Sequence, residues 1–265
     1  MSVSRATLLL AGLSIGMGIT TPPVPAQQPT RTLVAVFAHA DDERIVGPLL
    51  ARYSREGARV VLVIATDGRK GVTRHAGIPA GDSLARLRAA EARCATDQLG
   101  IAPPRLLGLE DAGLASFAAL TQLRDSVAAI LRELRADAVI TFGPEGGTGH
   151  PDHRLVGDVV TELVQRGADG APERLYFPSL PSERMRTAPA ARPTIATMAE
   201  RYLTVGVSFE PEDFEKTRRA FACHATQYTP AQMSAVMAYL AHGFAGQVRL
   251  RPWRAAETSA VSIFP

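Results

Sequence analysis

Two short segments carry more chemical potential than their length suggests. Ala38-His39-Ala40-Asp41-Asp42-Glu43 sets one imidazole beside adjacent carboxylates, and Gly149-His150-Pro151-Asp152-His153 sets two imidazoles around another carboxylate. Together they offer two histidines and a carboxylate for a divalent metal, with further acid–base groups to spare. Three protein ligands leave a position for water, whose pKa a bound zinc lowers to about 7, so the implied chemistry is hydrolytic. This donor set suits Zn2+ best, and Fe2+ or Co2+ is compatible with it. Plainer readings exist for both segments. Acidic residues also gather at helix N-termini, where the dipole stabilises them. The Gly146–Gly149 run could suggest a phosphate cradle, but it lacks the strand–GxGxxG–helix spacing and no lysine follows it.

Both segments follow apolar runs, and that is what must position them. TLVAVFA from Thr32, VVLVIA from Val60 and AVITF from Ala138 read as buried parallel strands. Apolar residues at three- and four-residue intervals predict helices over Leu49–Gly57, Asp82–Leu99 and Phe117–Arg135, with Gly100 stopping the second. Further along, Leu155–Arg166, Glu212–His224 and Pro230–His242 read as helices, and Leu175–Phe177 and Tyr202–Val207 as strands. The alternation predicts an α/β fold with a doubly wound, mostly parallel, Rossmann-like sheet in a single domain, whose ligands sit beyond the carboxyl ends of its strands. Proline-rich Pro178–Pro193 is expected to be an exposed loop able to line the substrate entrance.

The chain has 265 residues, 46% hydrophobic and 21% charged, which excludes disordered, collagenous and disulfide-scaffold classes. A net charge of +3 is too small to indicate a nucleic-acid partner. Cys94 and Cys223 are expected to be unpaired core thiols, since two cysteines make no disulfide framework. Residues 1–26, with Arg5, an apolar run from Ala6 to about Ile19 and Val24-Pro25-Ala26 as a cleavage point, read as a signal peptide. The run is shorter than the ~20 residues that span a bilayer, so a retained anchor is the lesser reading. The mature chain, 27–265, is expected to be exported, periplasmic or secreted, with no stable membrane span. No feature fixes an oligomeric state.

With these segments in view, the chain resembles the PIG-L/LmbE-like family of zinc-dependent N-acetylglucosaminyl (GlcNAc) deacetylases. AHADDE is similar to the family's AHPDDE, and GHPDHR at Gly149–Arg154 to its second metal motif. TDG at Thr66–Gly68, Arg88 and Glu91 leading to Leu99-Gly100, LGLEDAGL from Leu107, and KTRRAFACHATQ from Lys216 to Gln227 follow in the family's order. The resemblance implies that His39, Asp42 and His153 hold the metal and that Asp41 is the general base. It implies that His150 and Asp152 orient or polarise the reacting groups, and that Arg88 and Asp111 contact sugar hydroxyls. Ala40 replaces the usual proline, and Thr148 stands where some relatives present a tyrosine to the reaction centre. Beyond Gln227 no family feature is recognisable.

The activity implied is hydrolysis of the acetamide of an N-acetylated sugar or glycoside. Water activated by the metal and Asp41 attacks the carbonyl, Asp41 passes the proton to the departing nitrogen, and a protonated His150, oriented by Asp152, stabilises the intermediate. Cleavage of a larger amide conjugate and a non-catalytic carbohydrate-binding role are the alternatives, and an intact Asp41 argues against the second. Arg88 could instead pair with Glu91 one helical turn on, and Asp67 could serve only a turn. His224 could approach the site or be a satisfied structural residue, while His75 and His242 read as surface groups.

Overall fold

Thr32–Phe37 (β1) is buried along its whole length, which suits a strand covered on both faces by helices. A computed structural model of the chain describes residues 31–188 and 195–254 and Ser262; the expected leader lies outside them. After β1 come α1 (Gly47–Arg55), β2 (Arg59–Thr66), α2 (Asp82–Leu99), β3 (Arg105–Leu109), α3 (Phe117–Leu134) and β4 (Ala138–Ile140). Next are a short turn α4 (Gly146–Gly149), α5 (Pro151–Gln165), β5 (Leu175–Pro178), β6 (Leu180–Pro181), α6 (Ser182–Met185) and β7 (Thr197–Met198). The chain continues through β8 (Val205–Ser208), α7 (Pro211–Ala222), α8 (Pro230–Phe244) and β9 (Gln247–Pro252).

The main sheet has seven strands in the order β3-β2-β1-β4-β5-β9-β8. Pairings from β3 through β5 are parallel, and β9 then runs antiparallel to both β5 and β8. Alternate residues of β1 feed two cores. Leu33, Ala35 and Phe37 pack with α1, α2, α7 and α8, while Val34 and Val36 pack with α3 and α5. The expected doubly wound α/β sheet is therefore present. Because β2 and β4 flank β1, the strand order reverses there, and a crevice opens beyond the carboxyl ends of β1 and β4.

Two strands escape the hydrophobic pattern. The β3 edge strand is only partly buried and contains Gly108, and β9 alternates apolar and polar residues in QVRLRP. The expected loop at Pro178–Pro193 is corrected over its described part. β6 pairs with β7, and Leu180 and Met185 are buried against α8, because apolar side chains at those positions find a face to cover. None of residues 178–188 lines the crevice cavity.

The thiols are also corrected: Cys94 and Cys223 form a disulfide, with Cα atoms 5.9 Å apart. It joins α2 to the residue that caps α7, and the two helices lie side by side, so folding rather than sequence spacing brings the pair together. A crosslink closing a loop across 129 residues restricts the unfolded chain, a contribution of roughly 2–5 kcal/mol. Cys94→Ala with Cys223→Ala should therefore lower the urea midpoint while leaving the slope of the transition near that of the reduced wild type. An unchanged midpoint would contradict a stabilising crosslink.

Candidate metal centre

β1 ends at Phe37, and the chain turns sharply through His39 to Glu43. Asp41 takes up φ 110°, a left-handed conformation that costs a non-glycine residue about 1–3 kcal/mol. The turn is over-determined. The Asp42 carboxylate accepts the His39 N–H at 2.8 Å, Glu43 accepts the Asp41 N–H at 3.0 Å, and Arg44 donates to the Asp41 carboxylate at 2.8 Å. At the end of β4, Phe142 stacks on the His153 ring with centroids 4.3 Å apart and planes 7° from parallel. A Cβ on Gly147, whose φ is +62°, would lie 2.6 Å from Phe142. The glycine run therefore lets the main chain close over this ring pair, a steric reason unrelated to phosphate. Pro151 then opens α5, with His150 as its N-cap and His153 facing inward.

The two segments meet. His39 Nδ1 lies 2.9 Å from His153 Nε2, and the Asp42 carboxylate lies 3.3 Å from His153 Nε2 and 3.7 Å from His39 Nδ1. His153 Nδ1 donates to the Gly146 carbonyl at 2.8 Å, so in the neutral ring the Nε2 lone pair points at His39. His39 Nε2 faces Asp111 at 3.3 Å and Asp152 at 3.5 Å. Those carboxylates are fixed in turn, Asp111 by the Lys70 N–H at 3.0 Å and Asp152 by the Ala112 N–H at 2.8 Å. Burial pushes both carboxyls up, but the bonds to His39 and to the main chain outweigh it and hold them below the usual range. Burial likewise pulls His39 down, yet Asp111, Asp152, Asp42 and Asp41 together push it up to about 10. So much carboxylate around two imidazoles calls for added positive charge.

The donor set fits a divalent cation in that role. If His39 Nε2 carries its hydrogen toward Asp111 and Asp152, the lone pairs of His39 Nδ1 and His153 Nε2 converge with Asp42, and ligating histidines are typically oriented by such outer carboxylates. His39 with Asp111 and Asp152, and His39 with His150 and His153, are further groups whose ligand atoms lie within 4.8 Å of one another.

The Asp41 carboxylate, which lines the same crevice, has donors of its own. Its Oδ2 accepts from Arg44 and from the Tyr228 hydroxyl. Burial pushes the Asp41 carboxyl up, but Arg44, His224 and Tyr228 hold it below its usual range. A cavity of about 340 Å3 brings together His39, Asp41, Asp42, Arg88, Asp111, His150, His153 and Tyr228. Asp152 lies just behind it, against His39. Its carboxylate thus orients His39, whereas His150 Nδ1 accepts the Asp152 main-chain N–H at 3.2 Å. Burial and the nearby His39 and His153 push His150 below its usual value. The neutral ring then carries its hydrogen on Nε2.

Residues 34–164 match the family described as GlcNAc-PI de-N-acetylase, PIG-L. A 1D-myo-inositol 2-acetamido-2-deoxy-alpha-D-glucopyranoside deacetylase of Corynebacterium urealyticum is 29% identical over 239 residues, 75% of this chain and 71% of its own. Its namesake in Mycobacteroides abscessus is 30% identical over 241 residues, 79% of this chain and 86% of its own. The chain belongs to the PIG-L family. It spans only about half of another such PIG-L relative, that of Rhodococcus erythropolis, which is 36% identical over 162 residues, 53% of this chain and 55% of its own. N,N'-diacetylchitobiose deacetylase from Pyrococcus horikoshii shares the fold at a TM-score of 0.65, with 20% identity and 84% of each chain covered. So does the 4-carboxy-2-hydroxymuconate hydratase GalB of Pseudomonas putida, at 0.61 with 15% identity, covering 88% of this chain and all of that one. The PIG-L fold alone therefore does not fix a reaction.

Within this PIG-L site, Glu91 is occupied by Thr226 and not by Arg88. Arg88 donates to the Gly71 carbonyl at 2.6 Å and keeps a buried Nε without a partner. His224 does not line the cavity; fully buried, it donates to Glu43 at 2.7 Å and so braces the turn from behind. Asp67 pairs with Arg69, and His75 and His242 bond main-chain carbonyls. Tyr228 was not singled out by the sequence, where its one signal is that it directly follows Gln227. Asp152→Asn should weaken metal binding roughly 10–100-fold in calorimetry, the usual effect of losing an outer-shell carboxylate. Complete loss would instead make Asp152 a direct ligand.

Proposed function

We propose that this chain is a metal-dependent hydrolase that removes the acetyl group from an N-acetylated sugar or glycoside of the GlcNAc type. Its relatives carry that activity in their names. The single observation that supports it most is the ionised, doubly hydrogen-bonded Asp41 beside the convergent His39, Asp42 and His153. We assign those three residues as ligands of Zn2+, with Fe2+ or Co2+ able to use the same donors. Two nitrogens and one carboxylate converge on the Nδ1 face of His39, a better match to zinc than the one nitrogen and two carboxylates on its Nε2 face. Once bound there, the ion supplies Lewis-acid polarisation of the carbonyl and lowers the pKa of water to about 7.

The chain's own groups supply the rest. Asp41 takes the proton from the attacking water and returns it to the departing nitrogen. Neutral His150 offers its Nε2 hydrogen to the oxygen that gains charge, a role that needs no protonated ring. Arg88 and Asp111 line the same cavity and are assigned to sugar hydroxyls. Its volume, about 340 Å3, lies at the lower end of small-ligand sites, typically about 300–1,000 Å3, which suits one sugar ring with the aglycone toward solvent.

The leader at residues 1–26 and the Cys94–Cys223 disulfide both support export to a periplasm or beyond, since disulfides persist in oxidising compartments. No helix among the described residues is long and apolar enough to cross a membrane.

Asp41→Asn should lower kcat by roughly 10^2–10^4-fold on an N-acetylated glycoside, read as free amine, with metal content unchanged. Retention of near-wild-type turnover would overturn the role of Asp41. Metal binding without amine release from any N-acetylated sugar would favour a larger amide as substrate.

A further inference from the structure

We propose that Tyr228 is a positioning residue for Asp41, and that the Cys94–Cys223 disulfide acts on the reaction through it by pinning the turn that delivers it. This rests on the reading of Asp41 as the base. The turn runs from Cys223, at the end of α7, to Thr229, where α8 begins. It meets the active-site segment at three points. His224 donates to Glu43, Gln227 donates to the Ala40 carbonyl, and the Tyr228 hydroxyl donates to Asp41 Oδ2.

Arg44 takes the same carboxylate oxygen as Tyr228. With both donors on Oδ2, that oxygen is fixed from two directions and Oδ1 is the oxygen left for the reacting proton. Arg44 alone would permit a pivot. It also bonds the Asp41 carbonyl, and it lies on the Asp41 turn itself, so it moves with that turn. Tyr228 is the anchor brought from another part of the chain, 187 residues away. Burial and the Asp41 charge push its phenol up, so it keeps the hydrogen it donates.

Within the turn, the Tyr228 N–H donates to the His224 carbonyl at 3.1 Å and its ring packs on Phe221 with centroids 4.8 Å apart. A further hold comes from α2 and from the loop before it. Glu91 accepts from Thr226 N at 2.6 Å and from its hydroxyl at 2.9 Å, and Thr73 donates to the Thr226 carbonyl at 2.7 Å. Cys94, three residues after Glu91 and so on the same helix face, adds the covalent bond to Cys223. α2 also carries Arg88, a cavity-lining residue. One helix thereby fixes both a wall of the cavity and the turn that orients its base. Cys94 is exposed and Cys223 partly so, which leaves the bond open to a reductant in the folded protein.

The test compares wild type, Tyr228→Phe, and each after reduction with a phosphine, with Cys94→Ala/Cys223→Ala as the permanently open form. Tyr228→Phe should lower kcat on the order of tenfold with KM and metal content unchanged, as expected when a reacting group is misplaced by a fraction of an ångström. Reduction of wild type should lower kcat severalfold and speed deuterium exchange in residues 224–229. In Tyr228→Phe it should lower kcat little further, because both changes act on one contact. A crystal structure of Tyr228→Phe should show the Asp41 carboxylate turned about its Arg44 bond. Wild-type kcat in Tyr228→Phe, a rise in KM alone, independent multiplication of the two effects, or an unmoved Asp41 would each overturn the proposal. If wild type itself turns over no amide, the reading of Asp41 as base fails. The Asp41 position in the variant and the exchange rates then still decide the structural part.

Discussion

Two imidazole nitrogens 2.9 Å apart, with one carboxylate facing both, set the terms for everything around them. One nitrogen presents a lone pair because its ring's other nitrogen donates to the Gly146 carbonyl. The other sits on a ring whose far side faces two carboxylates already fixed by main-chain N–H groups. In a buried site of low polarisability such an excess of negative charge is costly unless positive charge enters. A proton on His39 is one solution and a divalent cation is the other. The surrounding structure keeps that demand in place: Phe142 fixes one ring by stacking, and the His224–Glu43 pair braces the turn that holds the other.

The fold makes this meeting possible across more than a hundred residues of chain. β1 and β4 are neighbours at the point where strand order reverses, so the turns that follow them enter one crevice. The helices on one face then contribute a second layer. α2 and the α7–α8 turn close over the Asp41 side of the crevice, and a disulfide joins them. Asp41 lies where the two contributions meet, with its backbone strained by the β1 turn and its carboxylate held in part from α7–α8.

Much of this was legible in the sequence, and the exceptions share a cause. The buried strands β1, β2 and β4 and the ends of α2 follow from local pattern. The motif residues His39, Asp41, Asp42, His150 and His153 are brought to one cavity, as their spacing after strands implied. Asp152 was expected to act on His150; its charge does act to raise that ring's pKa, and its carboxylate also faces His39 Nε2 at 3.5 Å, a contact between α5 and the turn after β1 that no local window contains. Edge strand β3 and antiparallel β9 lack the continuous apolar run of a covered strand; the alternation in β9 was the available signal. Tyr228 and the Cys94–Cys223 bond depend on packing between segments far apart in the chain, which no local window contains.

In the proposed assignment the cation sits on the Nδ1 face of His39, shared with His153 and Asp42. Anomalous diffraction from metal-loaded crystals, collected at the absorption edge of the bound metal, tests it directly. The expected result is one peak about 2.0–2.2 Å from His39 Nδ1, His153 Nε2 and an Asp42 oxygen, with Asp111 and Asp152 beyond bonding distance. A peak on the Nε2 face of His39, ligated by Asp111 and Asp152, would contradict it.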